Sequence, residues 1–167
     1  MDAAYRRLRP IIAGMLSILV ISSCNKLTPA GFWKNYRHEF IQASESDQGP
    51  WGGHRKIVWK YENSDTSNGR KAIDYAIRNG WKLTDSLFFA NDSLMPLSPY
   101  GETDYSYDIL KHKLLPSLDP GGAWNIYVFL SDWIAVEPGN ARDTEKNGFV
   151  AFNREHTEFI VYLLWGE

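Results

Sequence analysis

A chain with one cysteine, Cys24, has no internal disulfide partner, so whatever fold it adopts is held by packing and not by covalent staples. The side chains available for that packing are bulky. Seven Trp, nine Tyr and eight Phe make up 14% of the sequence, and each ring brings a large apolar area to a core. At 167 residues the chain is also long enough to enclose such a core in one domain.

Cys24 stands at the end of an ordered series of residues. Arg6, Arg7 and Arg9 come first, followed by an apolar run from Pro10 to Ile21 that carries Ile11, Ile12, Met15, Leu16, Ile18, Leu19 and Val20. Basic, apolar, then small is the order of a secretory signal. The cationic end stays with the anionic cytoplasmic leaflet while the apolar stretch enters the membrane. A spanning helix needs about twenty apolar residues, and this run has roughly half that, so a permanent transmembrane helix is not expected. Ile21-Ser22-Ser23-Cys24 resembles the lipobox of bacterial lipoproteins, with Ile21 where leucine is commoner. The resemblance covers residues 1 to about 25. It implies removal of residues 1–23 as a signal peptide, lipidation of Cys24, and a globular part held by lipid to the inner or outer membrane of the cell envelope. The plain alternative is a core helix in which Cys24 is a small buried hydrophobe.

Loss of residues 1–23 removes Asp2 and the three arginines, leaving 15 basic and 19 acidic side chains. A surface this acidic, with no basic run longer than Arg55-Lys56 or Arg70-Lys71, does not suit the phosphate backbone of a nucleic acid. With Cys24 lipidated, the mature chain has neither a disulfide nor a thiol nucleophile.

Residues 24–54 read as a lipid-anchored tether and an irregular lead-in, and residues 55–167 as a single α+β domain. Within the lead-in, Phe32, Trp33, Tyr36 and Phe40 recur at helical spacing and predict one short helix. Ser44 to Gly53 is polar and rich in turn formers, which predicts a loop. Ile57, Trp59 and Tyr61 alternate with Lys56, Val58 and Lys60 and predict a strand with one buried face. Ala72, Ile73, Ala76 and Ile77 predict a helix that Asn79-Gly80 stops, and Trp81 to Phe89 predicts a second strand. Asn91 to Gly101 reads as loop. Asp104 to Leu115 fits a helix stopped by Pro116, with a strand through Tyr105, Tyr107 and Ile109 as the competing reading. Three more strands are expected at Trp124 to Val136, Gly148 to Asn153 and Glu158 to Trp165, the first a central strand covered on both faces. The expected architecture is α+β: a mainly antiparallel sheet of about five strands with two or three helices packed on one side.

The usual catalytic signatures are absent from the sequence: no Gly-x-Ser-x-Gly elbow, no phosphate-binding Gly-x-x-x-x-Gly-Lys loop, no His-Glu-x-x-His zinc helix. His38, His54, His112 and His156 are scattered, and no metal, cofactor or catalytic residue is assigned. Gly49-Pro50-Trp51-Gly52-Gly53-His54-Arg55 is the most suggestive stretch. Read as a site, its glycines admit a ligand, Trp51 stacks on it, and His54 and Arg55 supply charge. Read as structure, it is a sharp turn into the first strand. A second candidate surface is the long polar segment from Glu137 to Asn147, which carries Glu137, Arg142, Asp143 and Glu145 between two strands.

Three classes of function fit these features. The leading expectation is a membrane-anchored envelope lipoprotein that binds another protein, as immunity and inhibitor lipoproteins do in general terms, through Trp51, His54, Arg55, Glu137, Arg142, Asp143 and Glu145. The second is an accessory subunit of an envelope assembly, which predicts an exposed apolar patch at Trp33 or Trp133. The third is an enzyme on glycans or peptides, using paired carboxylates among Glu137, Asp143, Glu145, Glu155 and Glu158 with Trp133 and Trp165 stacking on sugar rings.

Overall fold

The computed structural model describes residues 29–50, 52–91, 93–96, 110–119, 121–131 and 147–166. Among them, seven strands form one antiparallel sheet in the order β1-β2-β7-β6-β5-β3-β4. The strands are β1 (Ile41–Gln48), β2 (Gly52–Lys60), β3 (Lys82–Ala90), β4 (Ser93–Pro96), β5 (Trp124–Leu130), β6 (Gly148–Asn153) and β7 (Glu158–Gly166). One α-helix, α1 (Ser67–Arg78), is present among the described residues, together with 3-10 turns at Gly31–Asn35, His38–Phe40 and Leu115–Ser117 and a π turn at Leu110–Leu114.

This arrangement corrects the expected α+β architecture of about five strands and two or three helices. The two strands that pattern reading missed are the edges of the sheet. β1 is exposed along seven of its eight residues, so neither of its faces carries an apolar series to read. β4 is four residues long and ends in Pro96, which an edge strand tolerates because one side of its backbone needs no ladder partner. The supposed irregular lead-in therefore contains a full edge strand, and the supposed loop after Asn91 contains the other edge.

The helix expected at Phe32 to Phe40 is also absent. Arg37 adopts a left-handed backbone (φ 42°) that breaks the segment into two 3-10 turns, and the aromatic spacing is met by packing instead. Of the segment from Asp104 to Leu115, the described part, from Leu110, consists of the π and 3-10 turns; the remainder lies outside the described residues.

Strand alternation sends successive side chains to opposite faces of the sheet, and both faces are covered. On one face Ile57, Trp59, Phe129, Val150, Phe152, Phe159, Val161 and Leu163 pack under α1 and the lead-in. On the other, Leu87, Trp124, Ile126, Val128, Phe149, Ile160 and Tyr162 pack with Leu110, Leu114 and Leu118. The covering elements thus divide between two faces, whereas the sequence suggested one. β5 supplies both layers, as its near-continuous apolar sequence requires.

α1 lies close on its face because Ala72 and Ala76 present no bulk there. Its first turn is fastened by Asp65, whose carboxylate accepts from the Ser67 backbone N–H (2.8 Å) and hydroxyl (2.7 Å). Those hydrogen bonds hold the Asp65 carboxyl below its ordinary range. At its other end Gly80 (φ 94°) takes the left-handed conformation, with Gly80 N–H donating to Ile77 O and Trp81 N–H to Ala76 O at 3.1 Å each. That is the stop expected from Asn79-Gly80.

Trp33 joins the lead-in to this core. It is completely buried, with six rings around it: Phe32, Tyr36, Trp59, Tyr75, Trp81 and Phe159, at centroid distances from 5.3 to 6.4 Å. Trp59 Nε1 donates to Tyr36 O at 2.8 Å, and Tyr75 OH donates to Phe32 O at 2.9 Å. The exposed apolar patch anticipated at Trp33 is therefore not there; Trp133 lies outside the described residues. Deleting the Trp33 ring leaves a cavity that six neighbours cannot close together. Trp33→Ala is expected to lower unfolding stability by about 3–5 kcal/mol, measured by urea denaturation; a loss below about 1 kcal/mol would contradict this placement of the ring.

Candidate functional site

The candidate site occupies the β1–β2 end of the sheet, and its geometry follows from a tight hairpin. Gly49 N–H donates to Gly52 O at 2.7 Å, closing the short connection between β1 and β2. Gly52 and Gly53 are strand residues here, paired with Gly166 and Trp165 of β7. A Cβ on Gly52 would run into the Trp165 carbonyl, and one on Gly53 into the Asp47 carbonyl and, at 2.9 Å, the Trp165 indole. These glycines permit neighbouring chains to approach closely. In β2 this close approach of the neighbouring strands is what excludes a side chain at both positions.

The hairpin register also fixes which groups β1 presents. Gly49 and Gly52 form a hydrogen-bonded pair, and in an antiparallel ladder such pairs alternate with non-hydrogen-bonded ones. Asp47, Glu45 and Ala43 then bond to β2 through their main chain. Gln48, Ser46 and Ser44 point their N–H and C=O groups away from the sheet. Among the described residues β1 is the outermost strand on this side, so there these groups form an open edge.

On β2 the same alternation separates His54 from Arg55. His54 lies on the face away from α1, its ring stacked on Tyr162 at 5.9 Å and 16°. Burial pushes the Tyr162 hydroxyl up to about 12. Arg55 lies on the α1 face between Ser46 of β1 and Leu163 of β7, and is only 1% exposed. Adjacent in sequence, the two side chains form no common charged cluster. Trp51, Glu137, Arg142, Asp143, Glu145 and the lipidation candidate Cys24 lie outside the described residues.

Both ends of the segment that carries Glu137 to Glu145 are clamped. The Ser131 N–H and hydroxyl both donate to Asn147 Oδ1 (3.1 and 3.0 Å), and Asn147 Nδ2 donates to Leu164 O at 2.9 Å. Leu164 N–H returns a bond to Asn147 O at 3.0 Å. Ser131 and Asn147, both buried, thus tie the end of β5 and the start of β6 to β7. Ser131 falls inside the strand expected from Trp124 to Val136, which instead ends at Leu130, and Asn147 ends the polar segment, so nothing in the sequence marks the clamp.

Two parts of the enzyme reading meet the structure directly. Trp165 is 6% exposed and packs in the core with its indole over Gly53, so its ring has no face to offer a sugar. Glu158 pairs with Lys60 at 3.6 Å. Among the described residues no group of three or more His, Cys, Asp or Glu side chains converges as a metal site, and no helix is long and apolar enough to cross a membrane. Comparison with protein-family models, with curated proteins and with solved structures yields no match.

The glycines give a direct check on the hairpin. Gly53→Ala forces a methyl group into backbone and is expected to cost about 1–3 kcal/mol. Gly49→Ala meets only Gly52 O at 3.5 Å, an ordinary contact, and should leave the melting temperature within about 2 °C of the parent. Equal melting of the two variants would contradict the close-approach account.

Proposed function

We propose that this chain is a lipid-anchored protein of the bacterial cell envelope that acts by binding an extended segment of another protein along the free edge of β1. The anchor rests on Ile21-Ser22-Ser23-Cys24 and the basic and apolar series before it. The binding mode rests on one observation, the row of outward main-chain groups at Ser44, Ser46 and Gln48 on an eight-residue edge strand. An added strand gains hydrogen bonds from each of these residues, the mode by which extended peptides join sheets. Both faces of the sheet are already occupied by the chain's own residues, so the edges are what the sheet has left to offer. The opposite edge, β4, is half as long and ends in proline.

The polar, partly acidic sequence of β1 keeps this edge soluble and discourages pairing with a second copy. Ile41 is followed by Gln42-Ala43-Ser44-Glu45-Ser46-Asp47-Gln48, with two carboxylates and no large apolar side chain after Ile41. A partner must then contribute its own apolar or basic side chains. A tethered single-domain protein that recognises one partner is the general build of immunity and inhibitor lipoproteins.

Two variants test the two halves separately. Cys24→Ala should move the protein from the membrane fraction to the soluble or signal-uncleaved fraction; membrane retention of a correctly cleaved Cys24→Ala chain would refute the anchor. Ser46→Pro removes an outward N–H without breaking a bond to β2, so it should fold normally yet reduce stoichiometric capture of the envelope partner at least about tenfold, the loss expected from about one to two hydrogen bonds. Undiminished capture by Ser46→Pro would exclude β1 as the docking edge.

A further inference from the structure

Arg55 is the charged residue that the fold buries among the described residues. Its Nε and Nη1 have no hydrogen-bond partner, and the ion pairs among the described residues, His38–Glu39, Lys60–Glu158 and Lys71–Asp65, do not include it. Other buried groups also lack partners, namely Trp33 Nε1, Tyr36 OH, Tyr61 OH and His156 Nδ1, but each is neutral or able to become so. A guanidinium keeps its proton at neutral pH, so it cannot escape burial by discharging. An uncompensated buried charge is strongly destabilising, and buried charges in proteins are accordingly paired.

We propose that Arg55 is an anion-binding site that takes a small carboxylate. A carboxylate presents two charged oxygens to the planar array of guanidinium donors, forming short charge-assisted hydrogen bonds that a neutral acceptor does not match. The approach is from the β1 side. Ser46, opposite Arg55 in the register, has a short side chain and is exposed, whereas Leu163 on the β7 side is buried. Towards the hairpin the space over Gly53 is filled by the Trp165 indole, which leaves the Ser46 side as the approach. The site is separate from the partner reading: it needs the side chain of Arg55, while strand addition needs the main chain of β1.

The test is thermal melting of the detergent-solubilised full chain in sodium acetate against sodium chloride at constant ionic strength. The wild type should show a saturable acetate-dependent rise in Tm of about 5 °C or more, since a ligand that binds only the folded state stabilises it by mass action. Arg55→Leu should melt at or above the acetate-free wild type and show no acetate response. Arg55→Lys, which keeps the charge and loses the planar donor set, should respond with a shift less than half as large. If Arg55→Leu does not fold, the wild-type rise and its reduction in Arg55→Lys carry the decision. The proposal is overturned if acetate acts no differently from chloride on the wild type, or if the acetate response survives unchanged in Arg55→Leu or Arg55→Lys.

Discussion

The burial of Trp33 is the contact on which the rest of the arrangement depends. With no disulfide available, the segment between the N-terminal region and the first strand is held by aromatic packing alone. Trp33 enters a ring of six aromatic side chains drawn from the lead-in, β2, α1, the start of β3 and β7. Trp59 stacks flat on Phe159 beneath it at 4.2 Å and 8°. Because residues of the lead-in, the helix and the sheet meet in one cluster, the chain just before β1 is fixed to the domain. β1 is then delivered to the edge of the sheet in a defined register. Hydrogen bonds from Trp59 to Tyr36 O and from Arg37 to Asn68 Oδ1 (2.8 Å each) hold the path between them.

The second governing constraint is the period of two along each strand. It builds two cores from one sheet and sends His54 and Arg55 apart, so chemistry that looks contiguous in sequence is divided in space. It also determines that Ser44, Ser46 and Gln48, and not their neighbours, offer main-chain groups outward. At the end of the sheet nearest the hairpin, the proposed strand addition involves the main chain of β1. The proposed anion binding involves the side chain of Arg55, one strand further in, so the two are independent.

The parts of this fold that were legible in sequence are those with one-sided apolar patterning or strong punctuation. Ile57 and Trp59, the Ala72/Ala76 stripe and the Asn79-Gly80 stop are legible because each is buried on a definite face or marked by a turn. The start of β5 is legible because it is apolar on both faces; the strand expected from Trp124 to Val136 ends at Leu130 among the described residues. The edges did not read, since an exposed strand has no hydrophobic pattern; the residues of β1 are indistinguishable from a loop until β2 pairs with them. Gly52 and Gly53 fit either a ligand cradle or a sharp turn, because sequence shows only that a side chain is missing, not which neighbour excludes it. In sequence Arg55 is one of two adjacent groups that offer charge beside a glycine-rich stretch; its burial becomes visible only with β1 and β7 on either side. Trp33 and Trp165, anticipated at surfaces, are inside: a tryptophan's sequence context does not say which way its ring turns.

Strand addition at β1 requires its outer main-chain groups to face solvent in this register. Amide hydrogen exchange of the folded protein, read residue by residue along β1 by NMR, examines this without any partner. Ala43, Glu45 and Asp47 should exchange slowly, bonded to β2, while Ser44, Ser46 and Gln48 exchange at least about tenfold faster because they face solvent. Uniform protection along Ala43–Gln48, or slow exchange at the three serine and glutamine positions, would mean that the edge is already covered and would contradict the proposed mode of binding.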